Sequence, residues 1–176
     1  MRGSRTAALI AATAVALTVV TPTGVGSQTP GFQPVDVGAT VEEFGFPDGG
    51  AGVNDVVEGA DGRLWVTLGS SNQIGALDPN TLDRSPYDIS EPTCSPLGLT
   101  AGPDGNLWVA LNTCNRIARV TTGGTISLFE LPNPDSEPRH ITTGADGNLW
   151  FTEGGGNRIG RITPAGVVTE FAIPTP

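Results

Sequence analysis

The sequence predicts an all-β fold of the β-propeller type, with three complete four-stranded blades preceded by one extra N-terminal strand. The segments "GADGRLWVTLGSSNQIGAL", "GPDGNLWVALNTCNRIARV" and "GADGNLWFTEGGGNRIGRI" start at Gly59, Gly102 and Gly144. All 3 tryptophans of the chain occupy the same place in these segments. After the N-terminal apolar run the chain has no helical apolar stripe, and a repeat of about 40 residues is typical of propellers and β-arrays.

Residues 1–27 have the composition of a secretory signal peptide. Two arginines precede an uncharged apolar run over residues 7–20, and small residues follow at 25–27, as at a cleavage site. The run is shorter than the roughly 20 residues of a membrane span, so we expect cleavage rather than an uncleaved anchor. The sequence therefore predicts a secreted, extracellular protein with a linker over residues 28–39 and a partial propeller over residues 40–176.

Each blade is predicted to contain four strands, labelled a to d in chain order. An Asp-Gly pair, usual in tight turns with positive φ, precedes the Trp-bearing strand b. Strand c carries the Asn-Arg-Ile pattern, and strand d is an alternating segment such as "VVTEFAIP". We expect the blades over about residues 50–92, 93–134 and 135–176.

The segment "TVEEFGFPDGG", from Thr40, matches a strand d and is the predicted extra N-terminal strand. The last blade already has its own strand d, so this extra strand has no vacancy to fill within the chain. Three blades are also fewer than the about four to eight of a closed propeller. The sequence therefore predicts a partial propeller.

The charge of the chain argues against two classes of partner. The chain has 9 Lys and Arg residues against 18 Asp and Glu residues, which gives a formal net charge of −9. Such a surface repels nucleic acid and anionic membranes. We therefore expect no nucleic-acid partner, and no membrane partner once the signal peptide is removed.

The two cysteines are predicted to pair. Cys94 precedes strand a of the second blade, and Cys114 follows strand b of the same blade. Antiparallel neighbouring strands bring these two ends together, and an exported protein meets an oxidising compartment. The alternative is two free thiols.

The third repeat, "ITTGADGNLWFTEGGGNRIGRITPAGVVTEFAIPTP", resembles the repeats of the streptogramin (virginiamycin B) lyase family. The similarity extends from Thr40 to Pro176 and is weakest in the first repeat. The resemblance implies elimination-type ring opening of a cyclic depsipeptide antibiotic at an ester linkage, and hence a role in antibiotic resistance. It also implies a histidine base that removes the proton α to a carbonyl, and Mg²⁺, held by glutamates, that polarises this carbonyl.

His140 is the candidate catalytic base, because it is the only histidine of the chain. It lies in "EPRHIT", one position later than in the family pattern "P-H-G-I-T", and Arg139 occupies the expected position. On a regular strand, a shift of one residue reverses the face to which a side chain points. The alternative is a histidine packed at the edge of a blade.

Two glutamates are candidate Mg²⁺ ligands by the resemblance. Glu153 ends the segment "LWFTE", where the other repeats have Leu68 and Leu111, and Glu137 precedes His140 in the d–a connection. The d–a connection and the b–c turn lie at the same end of a blade, so Glu137, His140 and Glu153 could share one rim. The alternative is that Glu153 is an ordinary blade residue. The glycines after Glu153 lack the Lys and Ser/Thr of a phosphate loop, so no other cofactor is expected.

Two functions stay open at the level of the sequence. The first is a secreted streptogramin lyase-like propeller for a small-molecule or peptide ligand, truncated and inactive alone. The alternative is a non-catalytic exported binding module that closes its propeller by self-association as a homodimer. The flanks of the outer blades would form the interface, because open edges and apolar patches favour association.

Overall fold

The computed structural model describes residues 45–46 and 52–174, which contain strands and no helix. The strands form three four-stranded antiparallel sheets, here called blades 1, 2 and 3, in which each strand pairs with the next along the chain. Blade 1 consists of β1 (Val53–Glu58), β2 (Leu64–Leu68), β3 (Gln73–Leu77) and β4 (Arg84–Asp88). Blade 2 consists of β5 (Pro96–Ala101), β6 (Leu107–Leu111), β7 (Arg116–Val120) and β8 (Ile126–Glu130). Blade 3 consists of β9 (Pro138–Thr143), β10 (Leu149–Glu153), β11 (Arg158–Ile162) and β12 (Val168–Ala172).

The prediction of an all-β partial propeller with three four-stranded blades is confirmed. The blades belong to one compact unit, Glu42–Pro176, and the described sheets do not join into a ring. The predicted signal peptide, the linker and most of the extra N-terminal strand lie outside the described residues. In the described ranges, no helix is long and apolar enough to cross a membrane.

The repeated Asp-Gly pair sets both the turn before strand b and the orientation of the tryptophan. The turn glycines Gly62, Gly105 and Gly147 have φ angles of 75°, 76° and 75°, where a side chain would be strained. The preceding aspartate accepts a hydrogen bond from the indole Nε1, at 3.2 Å for Asp61–Trp65, 3.0 Å for Asp104–Trp108 and 3.1 Å for Asp146–Trp150. The tryptophan is thereby fixed by its own turn.

The repeated asparagine before strand c fastens the connection that leads to the following blade. Asn115 has a φ of 56°, and its Nδ2 donates to the carbonyl of Asn133 at 2.7 Å. Its Oδ1 accepts from the backbone N–H of Ser136 at 2.9 Å. Asn72 makes the equivalent bonds to Glu91 and Cys94. Backbone groups that leave water need such partners, which explains an asparagine at this position.

The core lies between neighbouring blades. We call the sheet face that carries the tryptophan the Trp flank and the other face the reverse flank. The Trp flank of blade 1, with Trp65 and Ile74, packs on Leu107 and Val109 of the reverse flank of blade 2. The Trp flank of blade 2, with Trp108 and Ile117, packs in the same way on Leu149, Phe151 and Ile162 of blade 3. Each tryptophan between two blades is fully buried.

Candidate functional site

The first strand of each blade contains a β-bulge at the same place. The pairing of β1 with β2 slips between Val53 and Val56, and that of β5 with β6 slips between Pro96 and Leu99. The pairing of β9 with β10 slips between Pro138 and Ile141, whose partners are Glu153 and Phe151. A bulge bends its strand and re-aims side chains, and bulges occur often beside active sites.

The bulge residues of all three blades line one cavity of about 360 Å³, here called the bulge cavity. Its lining residues are Asn54, Asp55, Leu97, Gly98, Arg139 and His140. The first strands of blades 2 and 3 approach closely here, because a Cβ on Gly98 would lie 2.5 Å from the carbonyl oxygen of Arg139. The bulge cavity is therefore the place where side chains from three blades converge.

The polar groups that blade 1 contributes to the cavity hold blade 2 in place. The Oδ2 atom of Asp55 accepts a hydrogen bond from the backbone N–H of Leu99 at 2.8 Å. Nδ2 of Asn54 donates to the carbonyl oxygen of Pro96 at 2.9 Å. These bonds fix the distance between the two blades on one side of the cavity.

Arg139 and His140 are the exposed groups of the cavity on the blade 3 side. The bulge changes the expectation for His140, since the regular alternation of faces is interrupted here and the consecutive residues Arg139 and His140 are both exposed. The backbone N–H of His140 donates to Oγ1 of Thr152 at 3.2 Å. Arg139 Nη2 lies 2.9 Å from Glu137 Oε2, in an ion pair whose two side chains are about half exposed.

His140 also borders a second, smaller cavity on the Trp flank of blade 3. This cavity has a volume of about 220 Å³, and Trp150, Thr152 and Ile159 contribute to its walls. Its lining is largely apolar. The imidazole therefore lies where the bulge cavity meets the Trp flank of blade 3.

Glu153 points away from both cavities, into the reverse flank of blade 3. Its side chain is 2% exposed, and neither carboxylate oxygen has a hydrogen-bond partner among the described residues. Oε1 lies over Gly160, 2.7 Å from the place where a Cβ would stand. Glu153 thus takes the buried position that Leu68 and Leu111 hold in the other blades.

The environment of Glu153 favours the neutral carboxylic acid. Burial raises the pKa of Glu153, and the nearby carboxylate of Glu170 raises it further. The hydroxyl of Ser136 and the guanidinium of Arg158 oppose this shift. The Ser136 hydroxyl donates to the carbonyl of Asn133 at 3.0 Å, so its proton is already engaged.

The predicted metal-site residues do not form a common site in this structure. Glu153 is buried in the reverse flank, His140 borders the Trp flank, and Glu137 pairs with Arg139. No group of three or more His, Cys, Asp or Glu side chains in residues 45–46 and 52–174 is arranged to hold a metal ion. One buried carboxylate falls short of the several oxygen ligands that Mg²⁺ requires, so these residues do not fit Mg²⁺. A requirement of the protein for Mg²⁺ stays a prediction.

Cys94 and Cys114 form a disulfide in the structure, with their Cα atoms 4.6 Å apart. The bond joins the connection before β5 to the turn after β6, next to a hydrogen bond from the Thr113 N–H to the Cys94 carbonyl at 3.2 Å. The equivalent positions in blade 3 are Ser136 and Gly156. The b–c turn of blade 2 is therefore held covalently, whereas that of blade 3 is held by hydrogen bonds alone.

The repeated turns, the buried tryptophans and the bulges define a β-propeller protein built from Asp-Gly/Trp blades. Residues 35–176 match the model of the virginiamycin B lyase family, and the chain belongs to this family. A solved streptogramin B lyase structure is 36% identical, with a TM-score of 0.75, and the match covers 80% of this chain and 47% of that one. The virginiamycin B lyase from Staphylococcus aureus is 40% identical, with a TM-score of 0.76 and coverages of 80% and 48%.

The family resemblance seen in the sequence is confirmed by these matches. A further structure, a catalytically inactive variant of the S. aureus enzyme with quinupristin, has the same 40% identity and TM-score of 0.76. The chain spans about half the length of these relatives, with 47% and 48% of their chains covered. No curated protein matched the sequence.

Sequence reasoning did not find the bulge cavity. The residues that line it differ between repeats, as "VNDVV", "PLGLT" and "PRHIT", within segments that are otherwise alike. That local difference was the available signal. A position that varies between repeats, within segments that are otherwise alike, is not required for packing within the blade.

Proposed function

We propose that the protein is an exported lyase-type propeller that binds a cyclic depsipeptide of the streptogramin B class at the bulge cavity. The observation that carries the proposal is the convergence of Asp55, Arg139 and His140 from two blades on one cavity. Membership of the virginiamycin B lyase family supports the choice of ligand. So does the related structure that contains quinupristin.

The proposed reaction is an elimination that opens the ring at its ester. A base removes the proton on the carbon α to a carbonyl, and a double bond forms between the α and β carbons. The β carbon–oxygen bond breaks, and its electron pair leaves on the carboxylate. No water is consumed, so the opened product keeps the mass of the ring, whereas hydrolysis would add one water.

The described residues supply part of what this reaction needs. The imidazole of His140 is the group in the cavity suited to accept a proton near neutral pH. Arg139 brings a positive charge next to it, which favours negative charge developing on a bound carbonyl oxygen. Because no carboxylate set for Mg²⁺ is assembled in residues 45–46 and 52–174, we expect the chain to bind the depsipeptide and to open it slowly or not at all by itself.

The proposal is tested by titrating the exported protein with quinupristin in a calorimeter and by analysing the ligand afterwards by mass spectrometry. We expect binding that weakens at least about tenfold in Arg139→Ala and His140→Ala. Val167→Ala, at an exposed turn outside the cavity, serves as the control. Equal affinity of all variants would refute the assignment of the cavity. A product heavier by one water would refute elimination.

Ring opening separates the proposed function from its alternative. A non-catalytic binding module would give the same titration and no opened product at any protein concentration. An opened product of unchanged mass that is lost in His140→Ala would place catalysis in this chain. Recovery of the protein from the culture medium, with a mass that starts near Gln28, tests the proposed export.

A further inference from the structure

The two interfaces between blades share a hydrogen bond from an arginine that stacks on the tryptophan. In blade 1, the guanidinium carbon of Arg63 lies 4.9 Å from the ring centroid of Trp65, and Nη2 donates to the carbonyl of Thr122. In blade 2, Arg119 lies 6.0 Å from the ring of Trp108, and its Nη1 donates to the carbonyl of Pro164 at 3.2 Å. Thr122 and Pro164 occupy the same position in the c–d turn of the following blade. Arg63 lies in the turn before β2 and Arg119 lies in β7, so the contact recurs although the two arginines hold different positions in their blades.

A second hydrogen bond recurs in the same way. Asn54 of blade 1 donates to the carbonyl of Pro96 at 2.9 Å, and Asn112 of blade 2 donates to that of Pro138 at 3.3 Å. Both acceptors are the proline that opens strand a of the following blade. Blade 1 has Gly69 where blade 2 has Asn112, and a Cβ on Gly69 would collide with the amide of Asn54. The glycine makes room for a donor from another strand.

The Trp flank of blade 3 carries both donors again. Arg161 lies 5.7 Å from the ring of Trp150 and 5.6 Å from that of Phe171. Arg139 takes the place that Asn54 has in blade 1, since a Cβ on Gly154 would lie 2.7 Å from its Nε. Blade 3 therefore has a complete docking face of the kind that blades 1 and 2 present to their neighbours.

This third face is not covered by any described part of the chain. Phe171 is 41% exposed and Ile173 is 45% exposed. Leu131 and Ile89, at the positions equivalent to Ile173, are buried under the following blade. Side chains that are core residues in two blades are thus surface residues in the third.

We propose that the Trp flank of blade 3 docks on the reverse flank of blade 1 of a second copy of this chain, head to tail. The reverse flank of blade 1 is the matching surface, because no blade within residues 52–174 packs on it and Val56 on it is 56% exposed. Leu99, the equivalent of Val56 in blade 2, is buried under blade 1. Blade 1 also has the two carbonyl acceptors. Val53 aligns with Pro96 and Pro138, and Pro79 aligns with Thr122 and Pro164.

Charge favours this pairing. Asp78 precedes Pro79 in the c–d turn of blade 1, and Asp83 closes that turn. Docking brings Arg161 of one copy towards these carboxylates, in the position that Arg63 and Arg119 have at the internal interfaces. Two copies of the three described blades, joined through both pairs of flanks, make six blades, which is within the about four to eight of closed propellers.

Phe46 is a competitor for the same surface. Its ring packs over Gly75 on the reverse flank of blade 1, so that a Cβ there would lie 2.5 Å from the ring. Phe46 aligns with Ile173, which a docking blade would bring to this place. Docking therefore exchanges Phe46 for Ile173 of the second copy, and the exchange weakens association.

The test uses two variants, one on each flank. Phe171→Glu changes the Trp flank of blade 3, Val56→Lys changes the reverse flank of blade 1, and both side chains are exposed, so folding is preserved. The exported protein is studied by analytical ultracentrifugation over a range of concentrations, without any ligand. We expect a dimer for the wild type and at least about tenfold weaker association for each variant alone. Val167→Lys, at a side chain that is 62% exposed on the turn that faces blade 2, should behave as wild type.

Mixing the two variants decides the geometry. The mixture keeps one unaltered pair of flanks and should form a heterodimer, identified by its mass in native mass spectrometry. Phe46→Ala should tighten the wild-type dimer. A wild type that stays monomeric, a mixture that fails to pair, or a Phe46→Ala variant that associates more weakly would overturn the proposal. Because no depsipeptide is present, these results do not depend on the proposed function.

Discussion

Trp108 and Trp150 have the same neighbours within their own blades and opposite surroundings beyond them. Each indole N–H donates to the aspartate of its own turn, at 3.0 Å for Trp108 and 3.1 Å for Trp150. Each stacks on a phenylalanine of strand d, with ring centroids 5.5 Å and 5.6 Å apart. Yet Trp108 is fully buried under blade 3, whereas Trp150 is partly exposed. The blade is thus a locally complete unit, and its place in the array decides which of its side chains become core.

The largest expected effect tests this comparison directly. Trp108→Ala removes a large side chain from between two blades, so we expect the free energy of unfolding to fall by about 3–5 kcal/mol. Trp150→Ala removes the same side chain from an uncovered flank, and the expected fall is about 1–2 kcal/mol. Urea denaturation followed by circular dichroism measures both.

A matched pair of variants separates burial from the local turn. Asp104→Asn and Asp146→Asn change the partner of each indole without emptying a cavity, so we expect two small and similar losses of stability. If Trp108→Ala and Trp150→Ala lowered the free energy of unfolding equally at concentrations where the protein is monomeric, the difference in burial of the two tryptophans would not contribute to stability. A covered Trp flank in a dimer would also raise the loss for Trp150→Ala.

The disulfide sharpens the contrast between the turns of blades 2 and 3. Cys94 and Cys114 enclose a loop with a sequence separation of 20, and replacing both with serine removes the covalent tie that blade 3 lacks. We expect the free energy of unfolding to fall by about 2–4 kcal/mol, because the unfolded chain regains conformational freedom.

Reduction provides the control for this prediction. Dithiothreitol should lower the stability of the wild type to that of the double serine variant and leave the variant unchanged. An unchanged midpoint of the wild type on reduction, with the thiols shown to be free by mass spectrometry, would show that the bond does not contribute to stability. The native mass of the unreduced protein checks that the bond is present.

The blades could be predicted from the sequence because their determinants are local. The Asp-Gly turn, the tryptophan and the asparagine before strand c are each satisfied within a few residues or across one pair of strands. Each strand pairs with the next along the chain, so no long-range choice of partner is needed. The repeat therefore contained most of the information about architecture.

The candidate site was less predictable because it depends on register and on contacts between blades. The bulge at His140 arises because the pairing of β9 with β10 slips between Phe151 and Glu153, and the sequence pattern gave no sign of this slip. The bulge cavity further needs Gly98 to approach the backbone at Arg139. The burial of Glu153, in contrast, was predictable. Its alignment with Leu111 indicated a buried position, although a charged side chain is more often exposed.

Glu153 gives the smallest of the expected effects and concerns the interface between blades 2 and 3. Its carboxyl replaces the leucine of the other blades, and leaving such a group buried without partners costs about 1–3 kcal/mol. We therefore expect Glu153→Leu to raise the free energy of unfolding at pH 7 by about 1–3 kcal/mol. Glu153→Gln should raise it less, because the amide stays polar but carries no charge.

The pH dependence identifies the cause. Because burial raises the pKa of Glu153 in the folded state, its contribution to stability is fully present below the pKa of the unfolded chain. That contribution is lost as the pH rises through the raised pKa of the folded state. The gain from Glu153→Gln over the wild type should therefore grow from acidic to neutral pH and then level off, when urea midpoints are compared at each pH. A gain that is constant with pH would show that Glu153 is not desolvated in this interface. Stabilisation of the wild type by Mg²⁺, absent in Glu153→Gln, would instead show that its carboxylate binds the metal.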